Sequence, residues 1–314
     1  MRGGTMQING VRIDDAASEA YDLVGTRVII TADSPELACA AAMNFTGYAT
    51  AVAACECEAG IEGPALNTTT PDGRPGVAVL FFASTQENLE AQLVARIQQS
   101  VMSCPTSACY SGLASETQIA VGTGLRLFGD GWQSDIVLEG KRYWRIPVMD
   151  GEFVVEAAFG CAAGVGGANF VIFGEALDAV LAAGHDAVEA VAGVPGVILP
   201  YPSGMLRSGF RLGSRYKSAP VSTYAPLCPT LRGRSESSLP DGVHAAVQVV
   251  VSGLGIDCVG DALRAGIRAA CRRRDGVAGI TAASHGGKVG PHKVELHEVL
   301  QLPGDSDTLS EEEF

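Results

Sequence analysis

Along this chain the spacing of apolar positions changes repeatedly, and each change marks a predicted element. Residues 26–31 form a β-rich run, after which 34–44 take a helical period with Asp33 or Ser34 placed to cap it. Residues 48–54 are apolar again. A second unit follows, with a buried strand over 76–83, Ser84 as a cap and a helix from Gln86 to about Met102. The second half repeats the theme. Residues 170–173 lead to a helix over 175–191 and then to GVPGVILPYPSG, while residues 243–251 lead to a helix over 257–273 and then to GVAGITAASHGG. Both later units run strand, glycine, helix, G-V-x-G-[VI], strand, glycine. Ahead of all four, residues 8–22 read as a short strand and an acidic helical turn.

Two strand-helix-strand units per half predict an α+β protein. Its two ferredoxin-like βαββαβ sandwich lobes would derive from a structural duplication, with extra β-hairpins. A doubly wound parallel sheet is the alternative. Against it stand residues 118–160, which are β-rich without a helix and carry turn signals at Asp130-Gly131 and Asp150-Gly151. The predicted divisions are an N-terminal lobe over 1–158, a C-terminal lobe over 159–300 and an acidic, disordered tail over 301–314.

At the midpoint, five glycines (Gly160, Gly164, Gly166, Gly167 and Gly174) fall within fifteen residues, after a strand-like run at 153–155. Glycine at this density points to positive φ or to close approach by a ligand or another backbone. A hinge between lobes and a backbone cradle both satisfy it. The G-x-G-x-x-N spacing opens a strand where a dinucleotide fingerprint opens a helix, so dinucleotide binding is set aside.

Composition narrows the function classes. The chain has 314 residues, 47% hydrophobic and 18% charged, which describes a compact protein. A net charge of −13 argues against binding nucleic acid through its phosphates. No apolar run approaches a membrane span, and the start has no secretory h-region. Met6 reads as an original start, with MRGGT as an extension. Nine cysteines without metal-ligand spacing fit free thiols in a reducing cytoplasm.

Neither a nucleophile elbow nor a P-loop is present. The glycine- and proline-rich stretch 56–76 reads as a long polar loop, with Arg74 in PDGRPG placed to bind a carboxylate bidentately or to face water. Near the C-terminus, His292 and Glu295 or His297 read as partners on a strand face. In the strand 243–251, alternation puts His244, Ala246, Gln248 and Val250 on one face. A polar Gln248 among valines is explained on the residues alone by an amide bonded to a neighbouring loop.

Taken together, several segments resemble one family in order: NGVRIDDAASEAYD, EAGIE, PDGRPG, RIQQSVMSCPT, FGDGWQ, GEFVVEAAFG with GVGGANF, LCPT and GGKVGPHKVELHEVL. The chain is similar to formylmethanofuran:tetrahydromethanopterin formyltransferases from Met6 to Leu300. The resemblance implies an acyltransferase of one-carbon metabolism. It would move a formyl group between the amine of a methanofuran-type carrier and N5 of tetrahydromethanopterin through a tetrahedral intermediate. No metal and no tightly bound cofactor are implied. The implied partners are a second copy, in a homodimer or homotetramer, and formylmethanofuran dehydrogenase-like subunits of a formyltransferase/hydrolase complex. Only four of the 22 basic residues are lysine, which together with the acidic tail fits a mesophilic bacterial member of methylotroph type. Archaeal members carry a glutamate at the position of Gln248, so Gln248 and His244 become the catalytic candidates. Substrate-binding candidates are Gly160, Gly164, Gly166, Gly167, Asn169, Phe170, Arg74 and a carboxylate of EAGIE beside position 59. Ala59 itself carries no carboxylate, and the flanking glutamates are Glu58 and Glu62. A non-catalytic scaffold or ligand-binding subunit is the alternative reading.

Overall fold

The computed structural model describes residues 6–219 and 221–301. The MRGGT extension and, beyond Gln301, the acidic tail lie outside the described residues. The molecule is α+β, with a large mixed sheet and helices packed on it.

A hairpin opens the described chain, with strands Met6–Ile8 and Val11–Ile13 joined through Asn9 and Gly10, both at positive φ as a two-residue turn requires. The acidic helical turn expected next is absent. Residues 17–31 form one fifteen-residue strand instead, whose start, Ala17–Ala20, pairs with His292–Glu295 from the other end of the chain. A distant partner overrides the local helical pattern here.

From that strand the first unit continues through the helix Pro35–Thr46, the strands Cys57–Ala65 and Gly76–Ala83, the helix Gln86–Arg96 and the strand Ala108–Ser111. Ser34 and Thr85, not Asp33 and Ser84, cap the helices. The second helix gives way to a π-helical turn at Ile97–Val101. Residues 48–54 make only a bridge at Thr50 and one helical turn, Val52–Cys55. Half of the expected 56–76 loop is strand. Its glycines and proline are tolerated because, past the bridge from Thr50 to Glu58, Cys57–Ala65 takes its ladder from Gly76–Ala83 alone, with a bulge between Ile61 and Gly63.

The second unit has the strand Ala162–Gly174, the helix Leu177–Ala192, the short strand Val197–Ile198, the strand Ala245–Gly253, the helix Ile256–Ala270 and the strand Val277–Thr281. In both units the first strand lies between the fourth and the third, and the second strand lies outside the third. Every neighbouring pair within a unit is antiparallel, which removes the doubly wound alternative. The units join where Tyr21–Gly25 pair with Ala162–Gly166. The glycine run is therefore part of a long strand, not a loop before a shorter one.

Beyond Ala108–Ser111 the sheet continues into Gly151–Glu156, Lys141–Val148 and Ser134–Leu138. The Asp150-Gly151 turn lies where expected. Asp130-Gly131 instead precedes Ser134–Leu138, and Glu139-Gly140, both at positive φ, close the other hairpin. Each unit has its own apolar core between sheet and helices, one containing Phe45, Phe81 and Leu93, the other Phe170, Ile172 and Leu263.

Candidate active site

In the strand Ala245–Gly253, the residues Ala245, Val247, Val249 and Val251 point into the helix-covered core. Ala246, Gln248 and Val250 therefore face the other side. A roof built from residues 205–219 and 221–239 covers that side. It is anchored where Met205 and Leu206 pair with Val249 and Gln248, and at its far end the Arg232 guanidinium donates to the carbonyls of Leu239, Pro240 and Val243. Beneath it is a recess bounded by Gln248, Val171, Leu206, Arg207, Tyr224 and Cys228. Gln248 is only 4% exposed. Its amide has no hydrogen-bond partner among the described residues and opens onto the recess, so the loop bond expected from the sequence is not made.

Tyr224 also lines the next part of the groove, with Arg211, Glu236, Ser284, His285 and Lys288. The groove then continues along Arg215, Tyr216 and Arg234. Residues 205–239 hold six basic side chains and one acid, Glu236, in a chain of net charge −13. A cleft of one sign concentrates opposite charge. The wall opposite the roof is held by Glu19. Its carboxylate accepts from the Ser284 hydroxyl (2.8 Å) and from the backbone N–H groups of His285 (2.6 Å), Gly287 (2.9 Å) and Val289 (3.2 Å). Burial alone would raise the pKa of Glu19; these donors outweigh it and bring the carboxyl down to about 2. The His285 ring then stacks on Phe210 (centroids 4.8 Å apart) and meets Tyr224 edge-on (5.4 Å).

The other expected site residues lie elsewhere. Gly164 takes the Phe82 ring against its backbone, and Gly166 and Gly167 take the Tyr21 ring, Gly167 at φ +82°. At Gly160 an added Cβ would sit 2.1 Å from the Leu113 carbonyl. All four are buried packing positions, so direct substrate contact by Gly160, Gly164, Gly166 or Gly167 is not supported. Phe170 faces the core against Gly266. Asn169 is buried too, donating to Ser18 and exchanging hydrogen bonds with the backbone of Ala283, which borders the Gln248 recess. Arg74 is committed to Asp72, Asp33, Thr31 and the Thr106 carbonyl within the first unit, leaving no free fork for a ligand. His244 is exposed, roughly 13 Å along the chain from Gln248 at strand rise, and lines neither the recess nor the groove.

The EAGIE carboxylates tie the two units together. Glu58, 1% exposed, accepts from the Tyr21 hydroxyl and from Ser252 Oγ (2.6 Å). Burial pushes its pKa up, against those hydrogen bonds. Glu62 takes the Arg27 guanidinium and the Gly196 N–H. The two late histidines bond to other partners than expected, His292 to Asp22 and His297 to the Ile13 carbonyl. All nine cysteines are free thiols, and no cluster of three or more potential metal ligands occurs among the described residues.

The family model for formylmethanofuran-tetrahydromethanopterin formyltransferase matches residues 6–148, and the model for the family's proximal lobe matches residues 151–299. The chain belongs to this formyltransferase family. A formylmethanofuran–tetrahydromethanopterin formyltransferase of Methylococcus capsulatus is 45% identical over 94% of this chain and all of its own length. A component of the formyltransferase/hydrolase complex of Methylorubrum extorquens is 40% identical over 94% of this chain and 98% of its own. Among solved structures, that complex bound to methylofuran superposes with TM-score 0.92 at 39% identity, covering 96% of this chain and all of its counterpart. The formyltransferase of Methanosarcina barkeri does so with TM-score 0.88 at 39% identity, over 94% of this chain and all of its own. The formyltransferase reaction is thus the function of this chain, and a non-catalytic scaffold is not favoured. No helix among the described residues is long and apolar enough to cross a membrane.

Of the two catalytic candidates named from sequence, Gln248 lines the recess and His244 does not; the roof, Tyr224, His285 and Glu19 were not among the candidates. One signal was available: the concentration of arginine between 205 and 236 in an acidic chain.

Proposed function

We propose that formyl transfer takes place in the recess beneath the roof, directly between the two carriers and without a tightly bound cofactor. The unpartnered amide of Gln248, on a residue only 4% exposed, carries this reading, because it opens onto a recess that continues into an arginine-lined groove. A formamide carbonyl seated there presents its oxygen to Gln248 Nε2. A donor aimed at a developing oxyanion is worth roughly 2.7–4 kcal/mol. N5 of tetrahydromethanopterin attacks the formamide carbon, and holding both carriers in one groove supplies a large part of the barrier reduction. The unpaired arginines favour carriers with anionic substituents.

The shared strand order of the two units supports two ferredoxin-like lobes produced by duplication, with 1–158 and 159–300 as their bounds. Likeness to the Methylorubrum component supports membership of a formyltransferase/hydrolase complex; with it we propose a cytoplasmic homodimer or homotetramer that works beside formylmethanofuran dehydrogenase-like subunits. The test is transfer from a formylated methanofuran analogue to tetrahydromethanopterin by the purified chain. Gln248→Ala lowers kcat by about 10²–10³ and leaves binding of both carriers near wild type. A rate within a few fold of wild type would remove Gln248 from the chemistry.

A further inference from the structure

During transfer the attacking pterin nitrogen must lose a proton and the departing amine must gain one. Gln248 cannot carry it, since a carboxamide does not titrate in water's neutral range. The group that does must lie at the groove. Among the five histidines, His185 and His244 are exposed and line no part of it, while His292 and His297 are engaged by Asp22 and the Ile13 carbonyl. Among the carboxylates, Glu19 is saturated by four donors and Glu58 is sealed between the units, while Glu236 lines the groove from an exposed position on the roof with no hydrogen bond or ion pair among the described residues to orient it. His285 is different. It lines the groove, and its ring nitrogens have no hydrogen-bond partner among the described residues. The ring is held between Phe210 and Tyr224, and the backbone that carries it is held by Glu19, which accepts from the His285 main-chain N–H. Two positions away, Ala283 lines the Gln248 recess, and Tyr224 lines both compartments.

Resting on the transfer reading above, we propose that His285 carries the proton between the two amines of the reaction, and that Glu19 is its positioning residue. N5 attacks the formyl carbon, forming the N–C bond while the carbonyl π pair moves to oxygen beside Gln248. Neutral His285 takes the N5 proton. The carbonyl re-forms, the bond to the carrier amine breaks with its electron pair going to that nitrogen, and imidazolium returns the proton there. The ring ends neutral and no oxidant or other reactant is consumed.

Charge around the ring suits a base. Burial lowers the His285 pKa, the Glu19 charge partly opposes it, and Arg211 and Lys288 face the same space with Glu236 and Tyr224.

The experiment compares wild type with His285→Asn, measuring kcat, both KM values and binding of each carrier across pH. A general base contributes typically about 10²–10⁴-fold. The expected result is a kcat drop of about 10² or more with near-normal carrier binding, loss of the acid limb of the kcat profile, and partial rescue by added imidazole. Glu19→Gln should lower kcat less and move that limb to lower pH, with Glu19→Asp recovering part of the rate. The proposal is overturned if His285→Asn keeps its rate and acid limb, or loses only carrier affinity. It is also overturned if wild-type kcat is flat through the histidine range, a result that does not depend on any variant folding. A wild type that binds both carriers and transfers nothing would instead defeat the transfer reading itself.

Discussion

Two polar regions are built into the same sheet, and they treat their polar groups in opposite ways. At the seam between the units, Glu58 and Glu62 meet Tyr21, Ser252, Arg27 and the Gly196 N–H. In the groove, the Gln248 amide and the His285 ring nitrogens have no hydrogen-bond partner, and Arg207, Arg211, Arg215 and Arg234 make no ion pair, among the described residues. A buried polar group costs free energy unless it is paired. The seam meets that cost internally, so it adds to the cohesion of the fold. The groove leaves it open, and a ligand can meet it. Burial alone would have ranked Glu58 as the stronger catalytic candidate; the state of its partners ranks it as structural.

The sharpest way to break this contrast is at Glu58. Glu58→Ala leaves two buried hydroxyls without an acceptor and should cost about 1–3 kcal/mol for each, read by denaturant unfolding, while the folded fraction keeps its kcat. A large kcat loss in fully folded variant would move catalysis to the seam. Next is Gly167→Ala, which forces a side chain into left-handed backbone against the Tyr21 ring. It should cost about 1–3 kcal/mol from the backbone alone, again with little effect on kcat.

A pH series sharpens the comparison further. Glu58 has a raised folded pKa against the 4.5 of an ordinary glutamate. Below about 4.5 both states hold the proton and the group is neutral to stability. As pH rises past that value the unfolded chain releases it while the native state retains it, so stability falls until the folded pKa is passed. Glu58→Gln should therefore lose less stability than wild type between mildly acid and neutral pH, and parallel curves would refute the buried, protonated carboxyl. Glu19 behaves with the opposite sign: its contribution is full above about 4.5 and disappears as pH falls through about 2. The smallest expected effect belongs to the groove rim. Arg211→Gln should raise KM for an anionic carrier a few fold and flatten its salt dependence, with unfolding unchanged.

The difference also explains what the sequence disclosed. The four long helices and the strands Gly76–Ala83 and Ala245–Gly253 follow from local period, whereas the short helix Val121–Leu125 falls in a stretch expected to hold none. The glycine run was legible as a place of close approach but not as to what approaches. The rings of Tyr21 and Phe82 lie far away in the chain, and one residue pattern serves a ring and a ligand equally. The face of Gln248 followed from alternation, whereas the roof over it has almost no regular structure and so no period to read. His285 could not have been chosen over His244 from sequence, because only the fold puts one beside Tyr224 and the other in solvent. Duplication of architecture did not duplicate chemistry either. Eight residues before the following helix, the first unit has Ala78 where the second has Gln248.

The long strand Ala17–Thr31 has a consequence for how the chain acquires its structure. Its end pairs with Gly76–Ala83 and Ala108–Ser111, its middle with Ala162–Gly166, and its beginning with His292–Glu295. On a ribosome the first unit can close early, but the front of this strand waits with open N–H and C=O groups until nearly all of the chain has emerged. Contacts of such sequence separation slow folding and prolong the exposure of an unpaired edge. Newly made molecules spend that interval as the form most open to chaperones and to pairing with one another.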